Sequence, residues 1–349
     1  MADLHLIVPG DPDTATGGFI YDKRIVEGLR ALGLEVVVHA LPDGWPYPDA
    51  GAVAAAERTL EAIPDGARVL FDGLAYGVLP RLAERAAPRL TLIALVHHPL
   101  AEETGLDPGD RARLFESERE ALAQATHVVA TSGFTAQALV DYGVTQERLS
   151  VVPPGVEPAP LAEGSGRAAP ALLCVATLVP RKGHDVLLNA LSALADKPWT
   201  LDLVGSDRLD VRHAHQLQRL TTRLGLNARV AFRGELSREQ LERAYNGADL
   251  FVLASHYEGY GMVLTEAVAR GLPVVAAAGG AVPYTLPEGA GLLAPPGDVQ
   301  ALAGALNRVL GNAELFAQLA EGARAARERL PRWRDSAARL AADLERAAP

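Results

Sequence analysis

Residues 255–276, SHYEGYGMVLTEAVARGLPVVA, join a glycine-rich turn, a helix pattern and an apolar run. The preceding run DLFVLAS predicts a strand, MVLTEAVARG predicts a helix that ends at Gly271, and LPVVAAA predicts the next strand. Strands that alternate with helices form βαβ units, which pair their strands in parallel. The stretch therefore predicts an α/β fold. It also places two carboxylates eight positions apart, Glu258 in the turn and Glu266 on the helix.

The same alternation of strand and helix patterns extends along the whole chain. The apolar runs of the first half are LHLIVPG, EVVVHAL, ARVLFDG, LTLIALVHH, HVVATS and LSVVPPG. Those of the second half are ALLCVATL, WTLDLVGS, ARVAFRG, DLFVLAS, LPVVAAAGG and GLLAPPG. This organisation predicts two doubly wound, Rossmann-like domains. Because ligands of such sheets bind at the carboxyl ends of the strands, we expect the two domains to face a central cleft.

A segment rich in proline, glycine and alanine, GVEPAPLAEGSGRAAPA, separates the two sets of strands. Such composition is typical of a connection between domains. We therefore expect an N-terminal domain over 1–157, a linker over 158–170 and a C-terminal domain over 171–330. The remaining segment, 331–349, predicts an amphipathic helix that packs back on the N-terminal domain.

The composition excludes several classes of protein. The 349 residues carry a formal charge of −10, whereas a nucleic-acid-binding protein usually presents a basic face. The single cysteine, Cys174, cannot form a disulfide within the chain, and its apolar surroundings indicate a small buried side chain. The sequence shows neither a signal-peptide pattern nor an apolar run of about 18 residues. We therefore expect a cytoplasmic protein.

Two predicted strand-to-helix turns carry features that suit phosphate, which binds at helix N-termini. In the first turn, Gly17 and Gly18 would let the backbone approach a ligand closely, although the pattern is not that of a dinucleotide fingerprint. The alternative is an ordinary turn. In the second, VPRKGHD, the adjacent cations Arg181 and Lys182 suit a diphosphate. Lys182 stands out because the chain has only three lysines, although a solvated pair of charges is the alternative.

Two histidines, His97 and His98, end the predicted strand LTLIALVHH. At that position an imidazole can donate a hydrogen bond to a sugar hydroxyl or, when protonated, stabilise an anion. No third ligand is spaced for a metal site in the sequence, so we predict no metal. The alternative is that one or both histidines only pack or cap.

The two carboxylates of the opening stretch allow three interpretations. Glu258 can cap a helix N-terminus, where the helix dipole stabilises negative charge. A hydrolase-type acid–base pair requires a separation of about 5–9.5 Å, whereas eight helical positions span roughly 12 Å. We therefore favour the third interpretation, in which Glu258 and Glu266 bind two parts of one extended ligand with vicinal hydroxyls.

Taken together, these segments resemble glycosyltransferase family 4, whose members are retaining nucleotide-sugar transferases with the GT-B fold. The resemblance covers nearly the whole chain and is strongest over 171–310. It is carried by the E-x7-E motif Glu258…Glu266 within YEGYGMVLTEAVARGLPVVA, and by VPRKGHDVLLNAL, RVAFRGELSREQLERAYNGADLFVLAS and GLLAPPGDVQALAGAL at the expected spacings.

The resemblance implies a role for each candidate residue on the donor. Glu266 would hold the ribose hydroxyls, and Glu258 would lie at the donor hexose. Lys182, with Arg181 beside it, would bind the diphosphate and stabilise the leaving group. His97 or His98 would contact the donor sugar. The backbone would contact the donor at the remaining positions, which are Gly17 and Gly18 at the phosphates, Glu235 and Leu236 at the base, and Gly259, Tyr260, Gly261, Met262 and Val263 around the sugar and diphosphate.

The sequence departs from the family pattern at two places. The family's Gly-Arg before the lysine is replaced by Ala176 and Thr177, so we expect Arg181 to compensate at least in part. After Gly279 and Gly280 the family often has an acidic residue, whereas this chain continues with AVPYTL. That loop borders the donor in the family, so the departure bears on donor identity.

The resemblance implies a hexosyltransferase that moves a hexose from a UDP- or GDP-linked sugar to an acceptor hydroxyl. It implies an α-glycosidic bond and no cofactor or required metal. A phosphorylase, a sugar-nucleotide epimerase and a non-catalytic sugar-nucleotide sensor stay open as alternatives. The acceptor is a small molecule, a glycan or a lipid-linked molecule, and the sequence does not indicate the oligomeric state. Mixed charges in the predicted helices of the N-terminal domain leave only a weak signal for peripheral contact with the inner membrane face.

Overall fold

The structure, a computed structural model, describes residues 2–12, 14 and 16–346. It divides into two compact units. Unit 1 comprises Met1–Gly155 and Pro331–Pro349, and unit 2 comprises Val156–Leu330. Each unit contains one six-stranded parallel sheet, so the predicted α/β class with two doubly wound domains is confirmed.

Unit 1 is built on six parallel strands in the spatial order β2-β1-β3-β4-β5-β6. These strands are β1 Leu4–Val8, β2 Val36–Ala40, β3 Arg68–Asp72, β4 Thr91–Val96, β5 His127–Ala130 and β6 Leu149–Val151. The helices of this unit are α1 Gly17–Ala31, α2 Ala50–Ala62, α3 Gly73–Tyr76, α4 Pro80–Ala86, α5 Pro108–Ala123, α6 Gly133–Ala138 and α14 Trp333–Arg346. The strand order reverses between β1 and β3, where the connections that leave the carboxyl ends of the two strands run in opposite directions and leave a crevice.

Both faces of the unit 1 sheet are covered by apolar side chains, which explains why its central strands are apolar throughout. One face packs against helices α2 to α5. The other face packs against α1 and α14, which lie close together because Gly28 has no side chain. A Cβ on Gly28 would lie 2.5 Å from the Cβ of Ala337. The C-terminal helix is therefore part of unit 1.

Unit 2 repeats the architecture with six parallel strands in the spatial order β12-β11-β10-β7-β8-β9. These strands are β7 Ala171–Val175, β8 Thr200–Val204, β9 Val230–Gly234, β10 Leu250–Leu253, β11 Val274–Ala277 and β12 Gly291–Ala294. The helices are α7 His184–Ser192, α8 Val211–Arg223, α9 Arg238–Asn246, α10 Met262–Ala269, α11 Val282–Thr285, α12 Val299–Leu310 and α13 Ala313–Ala326. Here the winding reverses between β7 and β10, which are hydrogen-bonded neighbours.

The segment that we expected to be a linker, 158–170, belongs to unit 2 and is held along its length. The amide of Ala162 donates to the carbonyl of Arg270 at 2.9 Å, and the amide of Gly164 donates to that of Asn246 at 3.0 Å. The hydroxyl of Ser165 donates to Asp249 at 2.5 Å. The proline- and glycine-rich composition therefore marks an extended segment that is bound to the domain.

The helices show no candidate for a membrane span. Over the ranges that the structure describes, none is both long enough and apolar enough to cross a bilayer.

Candidate functional site

The loop that carries Lys182 follows strand β7 at the reversal point of unit 2. Its Pro180–Lys182 segment forms a single 3-10 turn, and Gly183 then opens helix α7. Gly183 has φ +60°, and a Cβ there would lie 2.1 Å from the carbonyl oxygen of Ala254. Only glycine permits both the left-handed conformation and this close approach. Gly183 therefore allows the Lys182 loop to lie directly against the end of β10.

The loop that follows β10 brings Glu258 to Lys182. Lys182 Nζ donates to Glu258 Oε1 at 2.6 Å and to Oε2 at 2.9 Å. The hydroxyl of Ser255 donates to the same Oε1 at 2.6 Å. The guanidinium of Arg181 lies 3.8 Å from the carboxylate and donates to the carbonyl of Tyr257 at 2.9 Å. The structure thus brings together three side chains that the sequence singled out separately.

Backbone contacts hold the Lys182 loop and the Glu258 loop in place. The amide of His256 donates to the carbonyl of Arg181 at 2.8 Å, which joins the two loops. A Cβ on Gly280 would lie 2.4 Å from the carbonyl oxygen of Glu258, and that oxygen accepts from the amide of Ala281 at 2.8 Å. The segment that follows β11 therefore packs directly against the backbone of the Glu258 loop, which the absence of a side chain on Gly280 permits.

Burial shapes the electrostatics of the pair. The side chains of Lys182 and Glu258 are only 16% and 7% exposed. Burial lowers the pKa of Lys182, and the negative charge of Glu258 opposes that effect. Burial alone would raise the pKa of Glu258, but the charges of Lys182 and Arg181 outweigh it and lower that pKa. Both carboxylate oxygens lie at hydrogen-bond distance from Nζ, as in an ionised pair of ammonium and carboxylate.

Glu266, the second carboxylate of the motif, lies on α10 and is held from α9. The hydroxyl of Tyr245 donates to Glu266 Oε2 at 2.8 Å. The Tyr245 ring is fully buried, and the guanidinium of Arg270 lies 4.4 Å from its centre. Arg270 also donates to the carbonyl of Glu266 at 2.9 Å. Glu266 therefore has a fixed side chain, with Oε2 committed to Tyr245.

Helix α10 begins directly after the Glu258 turn. Gly261 forms its N-cap at φ +89°, and no side chain caps the helix. The first backbone amides of an uncapped helix are donors that can bind an anion. Burial raises the pKa of Tyr260 to about 12. The other predicted backbone positions, Gly259, Met262 and Val263, belong to this turn and to the first helical turn.

The base-contacting positions lie after β9 in unit 2. Glu235 is exposed, and Leu236 is partly buried against the apolar core of the unit.

Cys174 is fully buried, and burial raises its pKa to about 12, as expected for an unreactive thiol.

In unit 1, His97 follows β4 and meets two buried carboxylates. His97 Nε2 lies 3.2 Å from Asp72 Oδ2 and 3.4 Å from Asp22 Oδ1. Asp72 ends strand β3, and its Oδ1 accepts from the amide of Leu74 at 2.7 Å. A Cβ on Gly18 would lie 3.5 Å from His97 Nε2, so Gly18 leaves room for the ring. Asp22 lies one helical turn after Gly18, on the same face of α1.

The two histidines of the pair therefore have different partners. His98 Nε2 lies 3.4 Å from Glu103 Oε2, and both side chains are partly exposed. The backbone carbonyl of His97 accepts from the hydroxyls of Thr131 and Thr135 at 3.2 Å and 3.3 Å. The exposed Gly17 begins α1 one residue before Gly18.

Asp22 and Asp72 were not singled out from the sequence. An aspartate at the carboxyl end of a buried strand was the available signal for Asp72, whereas Asp22 lies within a helix pattern and gives no local signal. The closest side-chain N and O atoms of Asp22, Asp72 and His97 lie within 4.8 Å of one another. The prediction of a reaction without metal stays a prediction.

Two family models match the chain, and together they extend over most of it. The model described as "Glycosyltransferase Family 4" matches residues 17–159. The model described as "Glycosyl transferases group 1" matches residues 157–326. The two matched regions meet near the boundary between unit 1 and unit 2.

Curated relatives are transferases. The chain is 28% identical to the MMP alpha-(1->4)-mannosyltransferase of Mycolicibacterium hassiacum, over 93% of this chain and 81% of the relative. It is 34% identical to the D-inositol 3-phosphate glycosyltransferase of Geodermatophilus obscurus, over 66% of this chain and 57% of the relative. The match thus spans little more than half the length of this second relative.

A solved structure supports the fold. HepE of Anabaena, solved in complex with UDP-glucose, superposes with a TM-score of 0.82 at 21% identity, covering 99% of this chain and 100% of that chain. At this identity the likeness shows the architecture alone. Together with the family models and the transferase relatives, it confirms the resemblance drawn from the sequence. The chain therefore belongs to glycosyltransferase family 4 and is a hexosyltransferase of the GT-B fold.

Proposed function

We propose that this enzyme is a retaining transferase that moves a hexose from a UDP- or GDP-linked sugar to an acceptor hydroxyl without a metal. The observation that carries the proposal is the buried Lys182–Glu258 pair at the reversal point of the unit 2 sheet. Ligands of doubly wound sheets bind at that place. A cation held there beside an uncapped helix N-terminus suits a diphosphate.

Lys182 has the donor capacity that this role requires. An ammonium group has three N–H donors, and Glu258 takes two of them. The third donor is available to a phosphate oxygen. As the glycosidic bond to the leaving diphosphate breaks, negative charge grows on that oxygen, and a cation already in place stabilises it.

We propose that Glu258 acts mainly by holding Lys182. An ionised carboxylate offers about four acceptor sites, and three of them receive bonds from Lys182 and Ser255. Little capacity is left for a sugar hydroxyl. The family resemblance instead implied that Glu258 lies at the donor hexose. Glu266, fixed by Tyr245, is the carboxylate that we assign to the ribose hydroxyls.

The proposed chemistry follows the retaining course of the family. The anomeric carbon loses its bond to the diphosphate oxygen, which leaves with the electron pair. The acceptor oxygen bonds to the same face of that carbon, and its proton passes to the leaving phosphate. HepE was solved in complex with UDP-glucose, which supports a nucleotide sugar as the donor.

We propose a wider range of molecules for the acceptor than for the donor. The named relatives are an alpha-(1->4)-mannosyltransferase and a D-inositol 3-phosphate glycosyltransferase, which supports a hydroxyl of a small molecule or glycan as the acceptor. A lipid-linked acceptor would require peripheral membrane contact, and sedimentation with liposomes tests for that contact.

A thermal-shift titration tests the donor assignment. A ligand that binds only the folded protein raises its stability by mass action. We expect UDP or GDP, and the matching sugar nucleotide, to raise the melting temperature in the presence of EDTA as well as in its absence. Lys182→Ala should weaken the effect of the diphosphate, whereas Lys197→Ala, which removes another lysine of the same unit, should not.

Three results, one from this titration and two from activity assays, would contradict the proposal. No stabilisation by any nucleoside diphosphate would exclude the donor site. Turnover that EDTA abolishes and Mg²⁺ restores would exclude metal-independent transfer. Dependence of sugar release on inorganic phosphate would assign a phosphorylase instead.

A further inference from the structure

Three ionisable groups of unit 1 lie within ion-pair distance of one another. The Nε2 atom of His97 is buried and faces Asp72 Oδ2 at 3.2 Å and Asp22 Oδ1 at 3.4 Å. The side chains of Asp22 and Asp72 are 3% and 5% exposed. We call these three residues the Asp22–Asp72–His97 cluster. Nε2 therefore lies within ion-pair distance of both carboxylates, although it forms no well-aligned hydrogen bond with either of them.

The two carboxylates have different surroundings. Asp72 accepts a backbone hydrogen bond from Leu74, and such a bond stabilises the ionised form. Neither oxygen of Asp22 has a hydrogen-bond partner among the residues that the structure describes. Asp72 therefore has a backbone donor for its charge, whereas His97 is the group beside Asp22 that can stabilise a negative charge there.

Counting charges shows what the cluster needs. Two carboxylates and one imidazolium carry a net charge of −1, and an uncompensated buried charge is costly. One additional proton makes the cluster neutral. When Asp22 holds that proton, it can donate a hydrogen bond toward Asp72, whereas two ionised carboxylates would only repel each other.

We propose that Asp22 and Asp72 are positioning residues that share one extra proton and hold His97 as an imidazolium. Asp72 is the charged partner of His97, and Asp22 is a carboxylic acid that supports Asp72. With Nε2 directed into the cluster, Nδ1–H is the donor that His97 presents to a ligand. The identity of the ligand that His97 binds rests on the proposed function, whereas the protonation state of the cluster does not.

The electrostatic environment agrees with this division. Burial raises the pKa of Asp22 to about 7, with the charge of Asp72 as the next contribution. Burial alone would lower the pKa of His97, but its interactions with Asp22 and Asp72 outweigh burial and raise that pKa to about 10. Among the residues that the structure describes, Tyr21 on α1 contacts His97 with its ring edge, and the charge of Asp343 on α14 acts on Tyr21.

A histidine titration followed by NMR tests the cluster directly and requires no activity. With ¹³C-labelled imidazole rings, His97 is assigned as the resonance that His97→Gln removes. We expect His97 to remain an imidazolium above the ordinary histidine value of about 6.5 and to show a second inflection near pH 7 from Asp22. Asp22→Asn, whose amide replaces the acid as a donor, should remove the inflection and leave His97 protonated.

Asp72→Asn should have a different effect. Loss of a carboxylate at this distance is expected to lower the pKa of His97 by ~1–3 pH units. Glu103→Gln is the matched control, because it removes the carboxylate beside the neighbouring His98 and should leave the His97 titration unchanged. A His97 that titrates at or below the ordinary value in the wild-type protein would overturn the proposal.

Two further outcomes would also overturn it. An Asp22→Asn variant with the wild-type inflection near pH 7 would show that Asp22 carries no shared proton. A shift or broadening of the His97 resonance by micromolar Zn²⁺ or Mn²⁺, reversed by EDTA, would show that the cluster is a cation site instead.

Kinetics separates this assignment from the proposed function. Asp22→Asn should flatten the pH profile of kcat/KM around pH 7 while transfer itself continues. If the protein transfers no sugar, the proposed function fails, but the NMR titration still decides the state of the cluster. If transfer proceeds and the titration is ordinary, the cluster assignment fails alone.

Discussion

Lys182 Nζ lies 2.6 Å and 2.9 Å from the two carboxylate oxygens of Glu258, a residue 76 positions further along the chain. The contact exists because β7 and β10 are neighbours in the sheet although two strands separate them in sequence. Removing one partner of a buried ion pair leaves the other charge without compensation. The pair therefore links the proposed chemistry of unit 2 to its stability.

Glu258→Gln should destabilise unit 2 by about 3–5 kcal/mol, because it leaves Lys182 buried without a carboxylate. Urea denaturation measures the loss. The double variant Lys182→Met/Glu258→Gln should recover part of it, since neither charge remains. Glu239→Gln, which breaks an exposed pair with Arg243, is the control and should cost less than about 1 kcal/mol.

Glu258→Gln should also change how the free energy of unfolding depends on pH below neutrality. The pKa of Glu258 is lowered in the folded protein, so its contribution is present above the unfolded value and is lost as the pH falls through the folded one. Glu258→Gln should remove this part of the acid dependence. Equal stability of the single and double variants at neutral pH would contradict the coupling between Lys182 and Glu258.

Tyr245→Phe should weaken donor binding without slowing the chemical step. The variant removes the hydroxyl that fixes Glu266 Oε2 at 2.8 Å and keeps the buried ring. We expect the donor KM to rise roughly tenfold, equivalent to about 1.4 kcal/mol, with kcat nearly unchanged. Steady-state kinetics measures both, and Tyr47→Phe, on an exposed ring, is the control. A fall in kcat at constant KM would count against a ribose role for Glu266.

Gly183→Ala should disrupt the approach of the Lys182 loop to β10. Gly225 provides a matched comparison, because it has φ +71° and open space around the Cβ position, whereas a Cβ on Gly183 meets the Ala254 oxygen. Gly225→Ala should cost about 1–2 kcal/mol for the left-handed backbone. Gly183→Ala should cost a further ~1–3 kcal/mol for the overlap. Similar losses in thermal denaturation would argue against the close contact.

Asp22→Asn should change how stability depends on pH. The folded protein raises the pKa of Asp22 from 3.8 to about 7. Between these values the folded state binds more protons than the unfolded state, so the free energy of unfolding falls as the pH rises. The asparagine variant lacks this group and should be more stable than the wild-type protein above pH 7. Unfolding curves at two pH values measure the difference, and a wild-type protein that is the more stable at high pH would contradict it.

Much of the fold could be predicted from the sequence because its signals are local. Apolar runs separated by helix patterns marked the twelve strands that the described residues form. The adjacent cations marked the loop of Lys182, and the glycine-rich turn marked that of Glu258. The composition of the segment 158–170 gives no sign of the backbone hydrogen bonds that hold it to unit 2. Those bonds depend on residues more than 80 positions away, at Asn246 and Asp249.

The contacts within each site were harder to predict for the same reason. The sequence placed Lys182 and Glu258 at strand ends, but their pairing depends on the order of strands in the sheet. Asp22 and Asp72 meet His97 only because β3 and β4 are neighbours and α1 packs beside them. Strand order is set by long-range packing, so no local pattern in the sequence reports it.

The donor reaction of Lys182→Ala beside the wild-type protein tests the central claim most directly. ¹H NMR of UDP-glucose and other sugar nucleotides, recorded before the freed sugar mutarotates, follows both the rate and the anomer. We predict that the wild-type protein releases the α anomer in the presence of EDTA, and that Lys182→Ala is slower by ~10²–10³ while Lys197→Ala is not. A β anomer, or an unchanged rate in Lys182→Ala, would contradict the account.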